Sequence, residues 1–142
     1  MLLFYFSLGL AIVSSVFYHL IQKLIPTSVN PALSLIITYL TAAILSLALI
    51  PLYPFKDGLA AALKQLNWTS VGLSFAIIGL EIGFLLAYRA GWNVSVTAVI
   101  SNVTVALILI PVGLLFFKEK VSWVNLLGIV VCILGLIMVN RK

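Results

Sequence analysis

Five long apolar runs, separated by brief polar or proline- and glycine-marked breaks, constrain this chain more than any other feature. They cover residues 2–24, 31–52, 69–89, 94–117 and 122–140. A helix needs roughly 20 apolar residues to cross the hydrocarbon of a bilayer, and each run is close to that length. Lipid offers no partner to an exposed backbone N–H or C=O, so segments of this kind span as helices. The expected fold is an all-α membrane protein, a five-transmembrane-helix bundle forming one domain over residues 1–142. Composition agrees: 64% of the chain is hydrophobic and 8% charged, where soluble domains are nearer half and a quarter.

The breaks have local causes. Pro26 stops the first run, and Asn30-Pro31 supplies a cap and a first-turn proline for the second. Pro51 and Pro54 close the second run. Residues 54–67 are too polar to span, but Leu59, Leu63 and Leu66 recur at helical spacing. A short interfacial helix over about 56–66 is expected there. Gly91-Trp92-Asn93 makes a tight turn, Pro111 predicts a kink in the fourth run, and Lys118-Glu119-Lys120 forms a charged loop. Trp68, Trp92 and Trp123 all fall at run ends, as in the aromatic belt at headgroup level. Residues 1–22 carry no Lys or Arg, so the first run reads as a retained span rather than a signal peptide. No internal repeat or low-complexity stretch is visible.

Almost all of the net charge of +5 lies between or beyond the runs, and it forms no basic patch, so nucleic acid is not an expected partner. With five spans, Lys56, Lys64, Lys118 and Lys120 face one side. Lys23, Arg89, Arg141 and Lys142 face the other. Orientation normally follows an excess of Lys and Arg on the cytoplasmic side, and here no excess exists. The same chain is expected to insert both ways up, unless another element such as the interfacial helix fixes one topology. Arg89, at a span end, reads as a headgroup anchor. Cys132 is the only cysteine and lies within an apolar run. With one His and no acid pair, no catalytic constellation and no metal site can be assembled, so neither an enzyme nor a cofactor is expected.

Polar residues inside the runs gather at one depth. Counting inward from the span ends on one side, Glu81 is 8 residues from Arg89, Asn102 8 from Val94 and Thr38 7 from Pro31. Ser14 and Ser15 are 10 and 9 from Leu24. At about 1.5 Å per residue these differ by only a few ångströms in depth. His19 lies a turn nearer the edge, as an interfacial histidine or a proton partner for Glu81. Ser14, Ser15 and Thr38 can bond their own helix carbonyls or line a site, and Asn102 can serve as interhelical glue or as a ligand. Glu81 stands apart, because a charge mid-membrane costs from about 3 to above 10 kcal/mol. It is the expected proton or substrate site. Glycines supply packing seams: Gly79 and Gly83 flank Glu81, while Gly128 and Gly135, seven apart, share a face of the last span and suit contact between chains or within one.

The C-terminal half carries a resemblance. The turn Arg89-Ala90-Gly91-Trp92, the run ending Leu114-Leu115-Phe116-Phe117-Lys118-Glu119-Lys120-Val121, then Asn125-Leu126-Leu127-Gly128 and Leu134-Gly135, resemble the drug/metabolite transporter superfamily. The likeness is to a single EamA-type module; the N-terminal half matches in pattern. The resemblance implies half of a ten-helix inverted-repeat transporter fold. Most relatives fuse two oppositely oriented modules, so one module implies an antiparallel homodimer. The similar small multidrug resistance proteins dimerise through glycines seven apart in their last helix, which maps onto Gly128 and Gly135. Those relatives carry their essential glutamate in the first span. Here that region is Ser14-Ser15, and the acid stands in the third.

Together these readings imply a secondary active transporter of a small polar metabolite, cationic or zwitterionic. It would be proton-coupled through Glu81, with Asn102, Ser14, Ser15, Thr38 and His19 lining the site. Its partners would be the substrate, the lipid bilayer and a second copy, and its place a prokaryotic inner membrane. The competing reading is a non-catalytic subunit of a heterodimeric membrane transporter or lipid-carrier flippase.

Overall fold

The computed structural model describes residues 2–55, 58–119 and 122–140. Among the described residues six helices follow one another: α1 (Leu2–Leu24), α2 (Pro31–Leu47), α3 (Leu59–Gln65), α4 (Trp68–Arg89), α5 (Val94–Phe116) and α6 (Trp123–Asn140). No strand occurs among the described residues. Three helices, α1, α4 and α5, are long and apolar enough to cross a membrane; α2 and α6 are shorter apolar helices.

Helix ends follow the local chemistry. Asn30 Oδ1 accepts from the N–H groups of Ala32 (2.9 Å) and Leu33 (3.3 Å) and caps α2, with Pro31 in its first turn. Asn67 caps α4 through the Thr69 N–H. The second apolar run was expected to stay helical to residue 52, but α2 ends at Leu47 and continues as tight turns through Leu52. Pro51 explains the difference: its ring conflicts with the carbonyl four residues back, that of Leu47, and disfavours helix at Ile50. Of the expected interfacial helix, residues 59–65 are helical, entered from Gly58 at φ +83°. Positions 56 and 57 lie outside the described residues, as do 120, 121, 141 and 142, which hold several of the loop and terminal charges. α5 stays helical across Pro111. Gly91, at φ +94°, adopts the left-handed backbone that the break after α4 requires.

The chain divides into two compact units, residues 1–90 and 91–142. In the first, α4 packs against α1 and α2; in the second, α5 packs against α6. Little is buried. Leu35, Leu85 and Tyr88 are the buried large apolar side chains among the described residues. Leucines, isoleucines and phenylalanines cover the outer faces of the helices, as expected where the surrounding solvent is hydrocarbon.

Candidate functional site

The site grows from one face of α4. Glu81, Phe84, Leu85 and Tyr88 recur at three- and four-residue intervals and so share a stripe. Leu85 is fully buried, with 1% exposure, and Tyr88 nearly so. α1 meets this stripe with Tyr18, His19, Gln22 and Lys23. His19 Nδ1 and Tyr88 Oη share a buried hydrogen bond of 2.7 Å. Gln22 Nε2 donates to the Glu81 backbone carbonyl at 2.8 Å, and Lys23 Nζ donates to the Tyr88 carbonyl at 3.2 Å. The Lys23 ammonium also lies 5.6 Å from the centre of the Tyr88 ring, a cation–π approach.

Aromatic rings fill the space between the polar groups. Phe84 receives the Tyr18 ring edge-on at 5.9 Å and the His19 ring edge-on at 4.7 Å. It stacks with Tyr88 at 6.1 Å. Aromatic pairs favour such offset and edge-to-face geometries. α2 contributes Tyr39, one turn beyond buried Leu35. The phenolic oxygens of Tyr18 and Tyr39 are shielded from solvent and have no hydrogen-bond partner among the described residues. Glu81 itself is half-buried and forms no ion pair among the described residues.

Of the residues singled out from sequence, Glu81 and His19 therefore lie along one α1–α4 seam. His19 is buried, 7% exposed, and tied to Tyr88. Ser14, Ser15 and Thr38 are exposed on α1 and α2. Asn102 belongs to the second unit, where it lines a groove of about 420 Å³ between α5 and α6 with Asn125, Gly128 and Cys132. Gly128 and Gly135 have nothing within 4 Å of an added Cβ. Arg89 Nη2 donates to the carbonyls of Val29 (2.7 Å) and Pro26 (3.2 Å) and pins the α1–α2 loop to the end of α4.

Tyr18, Gln22, Tyr39 and Tyr88 escaped the sequence reading. Tyrosines in an apolar run look like ordinary lipid-facing aromatics, and a glutamine near a span end looks like an interfacial one. A weak signal existed: Tyr18 and Gln22 sit four apart beside His19, and Tyr88 sits seven after Glu81, so each set shares a helix face.

Apolar helices long enough to cross a bilayer, one of them carrying a carboxylate within its length, define an integral membrane protein. The sequence model of the EamA-like transporter family matches residues 2–141, and the chain belongs to that family, a single EamA module of the drug/metabolite transporter superfamily. It is thus a membrane transporter of the drug/metabolite type rather than an enzyme. No curated protein and no solved structure matches it.

Proposed function

We propose that this protein is a proton-coupled secondary transporter of a small polar metabolite, cationic or zwitterionic. It works as an antiparallel homodimer in a prokaryotic inner membrane, with Glu81 as the group that exchanges a proton for substrate. In this reading α1, α2, α4, α5 and α6 are the five spans of one half of an inverted-repeat transporter, and α3 lies at the interface. Two opposed copies complete the ten-helix fold. Ser14, Ser15, Thr38, His19 and Asn102 contribute to the substrate path, and Gly128 and Gly135 to the dimer contact.

The observation that carries the proposal is Glu81. An intramembrane carboxylate without an ionic partner among the described residues needs a proton or a cationic ligand to be tolerated there. The ring cluster follows Glu81 along the same stripe of α4, and the phenols of Tyr18 and Tyr39, on the two helices packed against α4, have no partner among the described residues. The four-to-four division of Lys and Arg supports insertion in both orientations.

The test is reconstitution. Wild-type proteoliposomes under an imposed pH gradient should accumulate a labelled organic amine, and Glu81→Gln proteoliposomes should not, although the variant folds and elutes as the wild type does. Gradient-driven accumulation by Glu81→Gln at the wild-type rate contradicts the assignment. For orientation, C-terminal reporters active on opposite sides of the membrane should both report; a signal from only one contradicts dual insertion.

A further inference from the structure

We infer that Gln22 is a positioning residue for Glu81: by holding the Glu81 main-chain carbonyl it sets the rotation of α4, and so the direction in which the Glu81 side chain leaves the helix. The inference rests on Glu81 being the proton and substrate site.

The bond itself is direct. Gln22 lies on α1, is 7% exposed, and its Nε2 donates to the Glu81 carbonyl oxygen at 2.8 Å. It reaches the backbone of Glu81 rather than the side chain, and among the described residues no hydrogen bond meets the carboxylate. The distinction has a chemical consequence. A donor on the carboxylate would favour its charged form and compete with an arriving ligand. A donor on the main-chain carbonyl fixes where the residue stands and leaves its carboxyl open to exchange a proton.

Little else sets the rotation of α4 at that level. Along residues 71–87 only Ser74 and Glu81 carry polar side chains, so the helix is apolar nearly all round and has no stripe to turn toward a core. Ser74 bonds the Ser70 carbonyl of its own helix. Close packing supplies no stop either. Gly79 and Gly83, two residues to either side of Glu81, would each meet nothing within 4 Å of an added Cβ. The buried side chains of α4 come one turn later, at Leu85 and Tyr88. α2 also packs against α4, but no hydrogen bond joins the two among the described residues. Apolar contact between helices in lipid gives little preference for one rotation over another.

The remaining bonds between α1 and α4 act further along. His19 with Tyr88 Oη, and Lys23 with the Tyr88 carbonyl, hold α4 seven residues after Glu81, about 10 Å along the axis. One anchor lets a helix swing and twist about it. Two anchors on one face, at residues 81 and 88, keep that face toward α1 over both turns.

Gln22→Met tests this, because it keeps the side-chain length and removes the donor. Spin labels would be attached one at a time to Ile77→Cys, Ile78→Cys, Leu80→Cys and Ile82→Cys, in Cys132→Ala protein reconstituted in lipid nanodiscs. Oxygen accessibility follows the helical repeat, and its phase gives the face turned to lipid. Gln22→Met should shift that phase by at least about 20°, a fifth of the roughly 100° between successive residues. It should also weaken calorimetric binding of hexylammonium, a small organic amine, by about tenfold or more, the consequence of a misplaced group. Circular dichroism and gel filtration establish folding. Gln22→Asn, which keeps the amide but draws it back by one methylene, carries the same expectation and takes its place if Gln22→Met does not fold. An unmoved phase overturns the inference, whatever happens to affinity or Tm, because Gln22 would then only join two helices. A moved phase with unchanged affinity overturns it as well, since the rotation would not serve the site. Glu81→Gln separates the two levels. If it abolishes binding while Gln22→Met leaves phase and affinity alone, only the Gln22 assignment fails. If it binds hexylammonium as the wild type does, or if the wild type does not bind it, the Glu81 site itself fails and the inference with it.

Discussion

The two compact units hold their helices together by different means. In residues 1–90, α1 is tied to α4 by hydrogen bonds between residues far apart in sequence: Gln22 to the Glu81 carbonyl, Lys23 to the Tyr88 carbonyl and His19 with Tyr88. Arg89 adds a clamp on the loop between α1 and α2. In residues 91–142 the described side-chain hydrogen bonds are local. Thr97 bonds the Asn93 carbonyl, Ser101 the Ala98 carbonyl, and the Ser122 hydroxyl accepts from Asn125 N–H. α5 and α6 instead meet across a groove that is mostly apolar. Lipid tails are as apolar as leucine, so apolar contact alone gives little preference for one neighbour over another. Polar ties fix a geometry; apolar contact can be exchanged. In the proposed reading the substrate site accordingly falls to the first unit, and the contact with a second copy to the second.

Substitutions that strike one unit and spare the other sharpen this contrast. The largest effect is expected from Gly128→Leu combined with Gly135→Leu. Both glycines are open to contact, and two leucines would hold a partner helix away. Cross-linked dimer should fall to monomer while amine binding by the first unit persists; an undiminished dimer would place the contact elsewhere. Next comes Arg89→Ala, which strips charged donors from two loop carbonyls. Its cost should be about 2 kcal/mol, read as a lower Tm in detergent, and Arg89→Lys should recover only part of it. A wild-type Tm in Arg89→Ala would mean the clamp contributes nothing.

Smaller still is Tyr88→Phe, which leaves His19 Nδ1 without its 2.7 Å partner. Side-chain hydrogen bonds between membrane helices contribute about 0.6 kcal/mol on average, and a loss of that order is expected in chemical unfolding. A loss several times larger would mean the His19–Tyr88 pair organises more than its own seam. Smallest is Gly113→Ala. A Cβ there would stand 2.5 Å from Glu119 Oε2, the far end of a side chain that can swing away. The displacement offsets the roughly 1 kcal/mol that alanine gains over glycine within a helix, so the single variant should be near neutral. In a Glu119→Ala background the same change should stabilise by about 1 kcal/mol. Equal effects in both backgrounds would deny the Gly113–Glu119 contact.

Much of the fold was legible because its punctuation is local. Asn30-Pro31 and Gly91 announce helix ends through capping chemistry and backbone preference, and the structure uses both in that way. The early end of α2 was legible in principle, since Pro51 acts on the carbonyl four residues before it; the apolar run simply outlasts the helix. The site was legible only where polarity contradicts its surroundings, at Glu81 and His19. Its remaining members depend on which helix faces which. Tyr18 and Tyr39 become notable only once α1 and α2 both lie against α4, and Arg89 only once a loop carbonyl is known to stand within 2.7 Å. Neither fact is written in one-dimensional spacing.

Proton release on ligand binding tests the central claim most directly. Solubilised protein in weak buffer would be titrated with hexylammonium at several values between about pH 5 and 9, the range in which a membrane-embedded carboxyl or the one histidine exchanges protons. If Glu81 surrenders its proton to admit the cation, the wild type should release close to one proton per amine bound over part of that range. Glu81→Gln should release none at any pH. Equal release from the two proteins, or none from the wild type across the whole range, would contradict the assignment of Glu81 as the coupling group.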